Sequence, residues 1–146
     1  MPRPIPVPDE VSKPFWDACN EQRLIIQNCK SCDRMQYPPE KLCSSCGSSE
    51  DLDWVEVSGK GRINGYAVVY DSRIRLWQTE QPYNIAVVEL HEDPTITFFS
   101  NLTGVTVDDV PVGSEVQVHF EETENGQKIH EWHLVNSCRF YKAEII

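Results

Sequence analysis

Four of the six cysteines fall in two Cys-x-x-Cys pairs, Cys29-Lys30-Ser31-Cys32 and Cys43-Ser44-Ser45-Cys46-Gly47, with ten residues between the pairs. Two intervening residues let one tight turn present both sulfurs to a single ion, and two such knuckles facing each other close a tetrahedral site. The turn's own N–H groups can hydrogen-bond the thiolates, and Gly47 suits a backbone that must turn back sharply. Zinc is the expected ion. A single rubredoxin-like iron accepts the same four thiolates, and two disulfides are the alternative that needs no metal. Four protein ligands leave no position for water or substrate, so Cys29, Cys32, Cys43 and Cys46 are expected to do structural rather than catalytic work. Structural zinc contributes on the order of 10–16 kcal/mol in small modules, as much as the whole stability of a typical domain, about 5–15 kcal/mol.

Catalytic alternatives are thin. The histidines are His91, His119, His130 and His133. His130 and His133 are three apart, which in a strand puts them on opposite faces, and His119 alternates with apolar residues as a solvent-face position. No Gly-x-Ser-x-Gly or Gly-rich phosphate loop occurs. Glu121, Glu122 and Glu124 are expected at a solvated strand end and turn. Cys19 and Cys138 have no Cys-x-x-Cys partner and are expected as buried thiols, although Arg139 beside Cys138 could lower its pKa. The segment from Asp71 to Pro82 is long for a hairpin and carries Arg73, Arg75 and Trp77. Arg and Trp together are typical interface anchors, and Arg suits phosphate, so these three are candidate contacts for a protein partner or for an anionic ligand such as coenzyme A.

The elements that must position these residues are mostly strands. Pro2, Pro4, Pro6 and Pro8 predict an extended arm, loosely held or laid on a partner or on the chain's own body, with Ile5 and Val7 as its contacts. Asp9 to Gln22 predicts a helix with Ser12 as N-cap and Pro14 in the first turn, burying Phe15, Trp16 and Cys19. Strand patterns precede and follow the cysteine segment at Leu24-Ile25-Ile26 and Trp54–Val57. Beyond Gly59 and Gly61, five more occupy Arg62–Tyr70, Tyr83–Leu90, Thr95–Leu102, Glu115–Glu121 and Ile129–Tyr141. Turn signals separate them, Asn125-Gly126 the strongest. The expected class is mainly β, a five-stranded OB-type barrel being the best fit to the second half.

The 146 residues carry 23 acidic and 13 basic side chains, a net charge of −10. That field repels phosphate backbones and anionic lipid surfaces. No apolar run approaches the roughly 18 residues of a membrane span, and no signal-peptide core is visible. A cytoplasmic protein is therefore expected, where thiols stay reduced.

Taken together, Pro14-Phe15-Trp16, Arg23-Leu24, the two knuckles, Gly59-Lys60-Gly61-Arg62-Ile63, Pro82-Tyr83 to Leu90, Asn101-Leu102-Thr103-Gly104 and Val112-Gly113-Ser114-Glu115-Val116-Gln117-Val118 resemble the zinc-ribbon plus OB-fold acyl-CoA-associated family, long catalogued as a domain of unknown function. The resemblance runs from about Val11 to Phe120. The family's last strand often closes on a Pro-x-Phe-type segment, where Glu131–Leu134 and Cys138–Tyr141 stand here. It implies an N-terminal arm and helix over 1–22, a rubredoxin-like zinc ribbon over 23–58 and an OB-fold domain over 59–146. It also implies a non-catalytic accessory subunit in a hetero-oligomer with a thiolase-like, hydratase-like or aldolase-type enzyme. The partner would do the carbon–carbon chemistry on an acyl-CoA, and the CoA thioester would be bound jointly. A nucleic-acid-binding ribbon–barrel protein is the alternative, and the net charge opposes it. A ribbon carrying iron would instead be an electron carrier.

Overall fold

The computed structural model describes residues 3–135. The single α-helix among these residues, α1 (Lys13–Asn20), has Ser12 at the N-cap and a proline in the first turn, where the missing N–H costs nothing. The helix is shorter than the sequence pattern predicts. Asp9 and Ser12 satisfy each other first: Ser12 N donates to Asp9 Oδ1 at 2.8 Å, and Asp9 N donates to Ser12 Oγ at 3.0 Å. That closed turn uses up the side chain expected to cap the helix. At the other end Gln22 adopts φ 59°, and Arg23 N donates back to Ala18 O at 2.9 Å, a left-handed stop.

Eight strands follow among the described residues. β1 (Ile25–Cys29), β2 (Arg34–Gln36) and β3 (Leu52–Glu56) form an antiparallel sheet in the order β2-β1-β3. β4 (Lys60–Val69), β5 (Tyr83–Leu90), β6 (Thr97–Ser100), β7 (Glu115–Glu122) and β8 (Lys128–Leu134) form a second sheet in the order β6-β5-β4-β7-β8. β4 runs beside β7 only over Lys60–Arg62, then continues with β5 past a bulge between Ile63 and Gly65. This bend curls the sheet until its two edges meet. The meeting is made by side chains: Ser100 Oγ on β6 donates to Glu131 Oε2 on β8 at 2.5 Å, and Trp132 N donates to Ser100 Oγ at 3.1 Å. The result is a nearly closed five-strand antiparallel barrel. The long connection before β5 contains a 3-10 helix, Arg75–Glu80. The stretch Cys138-Arg139-Phe140-Tyr141, expected to finish the last strand, lies outside the described residues.

One core joins the parts. Phe15 from α1, Ile26 from β1 and Ile63, Val88, Phe98 and Trp132 from the barrel are all buried in a single cluster. Partly buried His130 packs beside it. Its ring lies edge-on to Phe15 at 5.7 Å and to Phe98 at 5.2 Å and stacks on Trp16 at 6.1 Å. The Nδ1 atom is buried with no hydrogen-bond partner among the described residues. Cys19 is fully buried, and burial pushes its thiol up to about 12, in keeping with a small apolar core residue.

Two predictions come from this packing. A Cβ on Gly61 would sit 2.7 Å from Val88 Cγ1 and 2.8 Å from Glu89 O, so β4 and β5 approach each other through the absent side chain. Gly61→Ala should destabilise the fold by about 1–3 kcal/mol in denaturant unfolding; an unchanged midpoint would contradict the close approach. His130 supplies a pH dependence. Burial pushes its pKa down to about 4 from an ordinary 6.5. The unfolded chain therefore takes the proton first, and this stabilisation is complete above the ordinary value and lost as pH falls towards the lower one. At about pH 5.5 roughly 1.4 kcal/mol should be gone relative to about pH 7.5. His130→Phe should remove that part of the slope, and an identical slope would show that the neutral imidazole is not its source.

Candidate metal centre and apolar cavity

The ribbon sheet delivers the four cysteines. β1 ends at Cys29, and the chain turns through Lys30 and Ser31 to Cys32 and Asp33 (φ 53°) before β2 returns. The second knuckle is held on the opposite side. Gly47, at φ 76°, lets the backbone reverse, with Gly47 N donating to Cys43 O and Cys43 N to Ser48 O, each at 2.9 Å. The two knuckles are tied by a side chain that spacing alone does not reveal. Gln27, buried on β1, donates through Nε2 to Glu40 O at 2.9 Å. Its Oε1 accepts from Glu40 N at 2.9 Å and from Gln36 Nε2 at 2.7 Å. Gln36 Oε1 in turn accepts from Ser44 N inside the second knuckle.

The sulfurs of Cys29, Cys32, Cys43 and Cys46 all lie within 4.8 Å of one another. Across the knuckles, Cys29 to Cys46 and Cys32 to Cys43 are each 3.6 Å apart. A tetrahedral zinc with Zn–S bonds of about 2.3 Å requires sulfur–sulfur edges of about 3.8 Å. The donor set and spacing therefore fit that ion. The electrostatics point the same way. Backbone N–H groups of Cys46 and Ser45 pull the Cys43 thiol down to about 6, as the knuckle geometry predicts. Desolvation and the neighbouring thiols push Cys32 up to about 12. Four clustered thiols cannot all ionise against one another until a cation sits between them.

Arg73 and Arg75 are exposed, whereas Trp77 is half-buried and lies edge-on to Tyr83 with ring centroids 5.7 Å apart. Trp77 walls an open cavity of about 390 Å³ together with Pro4, Ile5, Trp16, Phe99 and Ile129. The structure thus separates the three predicted contact residues into one cavity wall and two solvent-facing cations. It also shows where the proline arm goes. Ile5 faces the cavity as expected, and Arg3 adds a polar anchor: Nε reaches Glu121 at 3.2 Å and Nη1 reaches Glu131 at 3.4 Å. Val7 is 92% exposed and touches little.

Glu121, expected at a solvated strand end, is engaged instead. Burial works against its ionisation, but the His119 hydrogen bond and the Arg3 charge outweigh that and hold its carboxyl below the ordinary value. Glu131, more deeply buried at the barrel seam, is shifted up by desolvation despite Ser100 and Arg3. His130 and His133 do lie on opposite faces, as the spacing predicts. His133 instead meets His119 across the strands, Nδ1 to Nδ1 at 3.0 Å, while His119 Nε2 donates to Glu121 at 3.1 Å. His91 is exposed, and Cys138 lies outside the described residues. Among the described residues, no helix is long and apolar enough to cross a membrane.

Comparison with known proteins matches this architecture. Residues 16–53 match the family model described as the ChsH2 rubredoxin-like zinc ribbon domain, and residues 54–121 match that of the ChsH2 C-terminal OB-fold domain. A probable enoyl-CoA hydratase alpha subunit of Thermomonospora curvata is 34% identical over 75% of the chain, which spans only 33% of that longer protein. A DUF35 domain-containing scaffold protein of Methanocaldococcus jannaschii is 30% identical over 72% of the chain and 73% of its own length. Its counterpart in Methanothermobacter thermautotrophicus is 31% identical over 70% and 78%. The solved Ltp2-ChsH2(DUF35) aldolase contains a chain that superposes with a TM-score of 0.76 at 28% identity, covering 89% of this chain and 98% of that one. With the two archaeal relatives of comparable length and both halves recognised in order, the chain belongs to the DUF35 family of ChsH2-type zinc-ribbon and OB-fold proteins.

Proposed function

We propose that this chain is a non-catalytic scaffold subunit of a thiolase-like enzyme that acts on acyl-CoA thioesters. One observation carries the proposal: the likeness, over nearly the full length of the other chain, to a chain solved within the Ltp2-ChsH2(DUF35) aldolase. The two archaeal relatives described as scaffold proteins support it. On this reading the chain divides into an arm and helix (1–22), a ribbon (23–58) and a barrel (59–146).

Cys29, Cys32, Cys43 and Cys46 hold a structural zinc. When bound, the ion supplies cross-linking and charge neutralisation and offers no open coordination position. The ribbon then presents a fixed surface, and the carbon–carbon bond chemistry is done by residues of the partner. Arg73, Arg75 and Trp77 are contacts to that partner or to the CoA thioester it handles, the apolar cavity walled by Trp77 being suited to an uncharged portion of such a ligand. The net charge of −10 weighs against the nucleic-acid-binding alternative.

The purified chain should contain one zinc by elemental analysis, and Cys43→Ser should lose it and unfold the ribbon, because the forfeited binding energy, on the order of 10 kcal/mol, is comparable to the stability of the whole domain. Retained zinc with unchanged melting would refute the ligand assignment. Separately, the chain alone should turn over no acyl-CoA, whereas the complex isolated with its thiolase-like subunit should; turnover by the isolated chain would overturn the scaffold reading.

A further inference from the structure

β5 reads Tyr83-Asn84-Ile85-Ala86-Val87-Val88-Glu89-Leu90, apolar at nearly every position. Antiparallel strands with one wet face alternate; a near-continuous apolar run belongs to a strand covered on both sides. In the barrel, Asn84, Ala86, Val88 and Leu90 point into the core and are buried. Among the described residues the outer face is closed at one end, where Tyr83 is buried against Trp77. Beyond it Ile85 and Val87 are partly open to solvent. Their cross-strand neighbours are Ala67 on β4 and Phe99 on β6, and Phe99 is 69% exposed. Ile74 and Leu76, 50% and 60% exposed, stand on the segment that carries Trp77. No titratable side chain interrupts Ala67, Ile85, Val87 and Phe99, so a partner would desolvate no charge at the centre of this face.

Charge decides what covers it. The flanking segment exposes Arg73 and Arg75 but also Asp71 and Glu80, so its formal charges cancel. A second copy docked about a two-fold axis would set two chains of net charge −10 against each other. A different protein without that excess of acidic groups escapes the repulsion while burying the same apolar area. We infer that the outer face of β5 and β6, centred on Val87 and Phe99, is the docking surface for the thiolase-like subunit, whose apolar patch it buries. This rests on the scaffold reading above.

The test uses the tagged full-length chain in its native cells. Replacing Phe99 with the photo-crosslinker benzoylphenylalanine should yield a covalent adduct with a thiolase-like subunit identified by mass spectrometry. The same probe at exposed Glu50 in the ribbon should not. Phe99→Glu should lower co-purification of that subunit at least tenfold with zinc content and melting unchanged, and Phe99→Leu should keep it near the original level. An adduct with a second copy, an adduct with residues 136–146 of the same chain, or undiminished co-purification by Phe99→Glu would overturn this surface and leave the scaffold reading standing. Failure to recover any thiolase-like subunit with the unsubstituted chain would overturn both.

Discussion

Three separately coded pieces become one molecule because their aromatic rings meet around a neutral imidazole. Phe15 and Trp16 come from the helix, Tyr37 from the ribbon, and Phe98, His130 and Trp132 from the barrel. Tyr37 lies 4.4 Å from Phe98 and 5.4 Å from Phe15 between ring centroids, so the ribbon is pressed onto both neighbours. Such contacts contribute about 0.5–1.5 kcal/mol each beyond area burial. Their larger effect is geometric. They hold the ribbon at one orientation on the barrel, so a partner that binds one finds the other in a defined place.

Within the ribbon the order of causes is different. Little apolar area is available among the knuckle residues, and Cys32, Ser44 and Cys46 are exposed. A cation between the sulfurs and the amide network of Gln27 and Gln36 therefore carry the local order. Gln27 matters because a buried amide left unsatisfied costs about 1–3 kcal/mol, so its bonds commit the loop through Glu40 to one path. The barrel shows the same economy at its seam. Ser100, Glu131 and Arg3 close what backbone pairing leaves open, and the arm that brings Arg3 becomes a wall of the apolar cavity.

A scaffold protein is recognised by what its surface leaves uncovered. Here the polar network at the seam faces inward or is capped by the arm, while the adjoining face of β5 and β6 stays apolar. Within β5, Ala86, Val88 and Leu90 are buried on one side while Ile85 and Val87 stay partly open on the other, and that asymmetry is the basis of the proposed docking face.

Local chemistry was legible without coordinates. The four sulfur ligands follow from Cys-x-x-Cys spacing, because two intervening residues make one turn whatever surrounds it. The five barrel strands follow from apolar and β-branched runs separated by turn residues. The helix was over-read because Asp9 and Ser12 can close a turn as readily as cap a helix, and only context selects. What the linear pattern could not carry is everything set by cross-strand register and chain return. Gln27 holding Glu40 and Gln36, His119 meeting His133 and Arg3 reaching Glu131 join residues as many as 128 positions apart. Periodicity reports which face a residue occupies, a property of its own strand; which residue lies opposite depends on how strands align and on where the barrel closes, and that is decided only when the whole core packs.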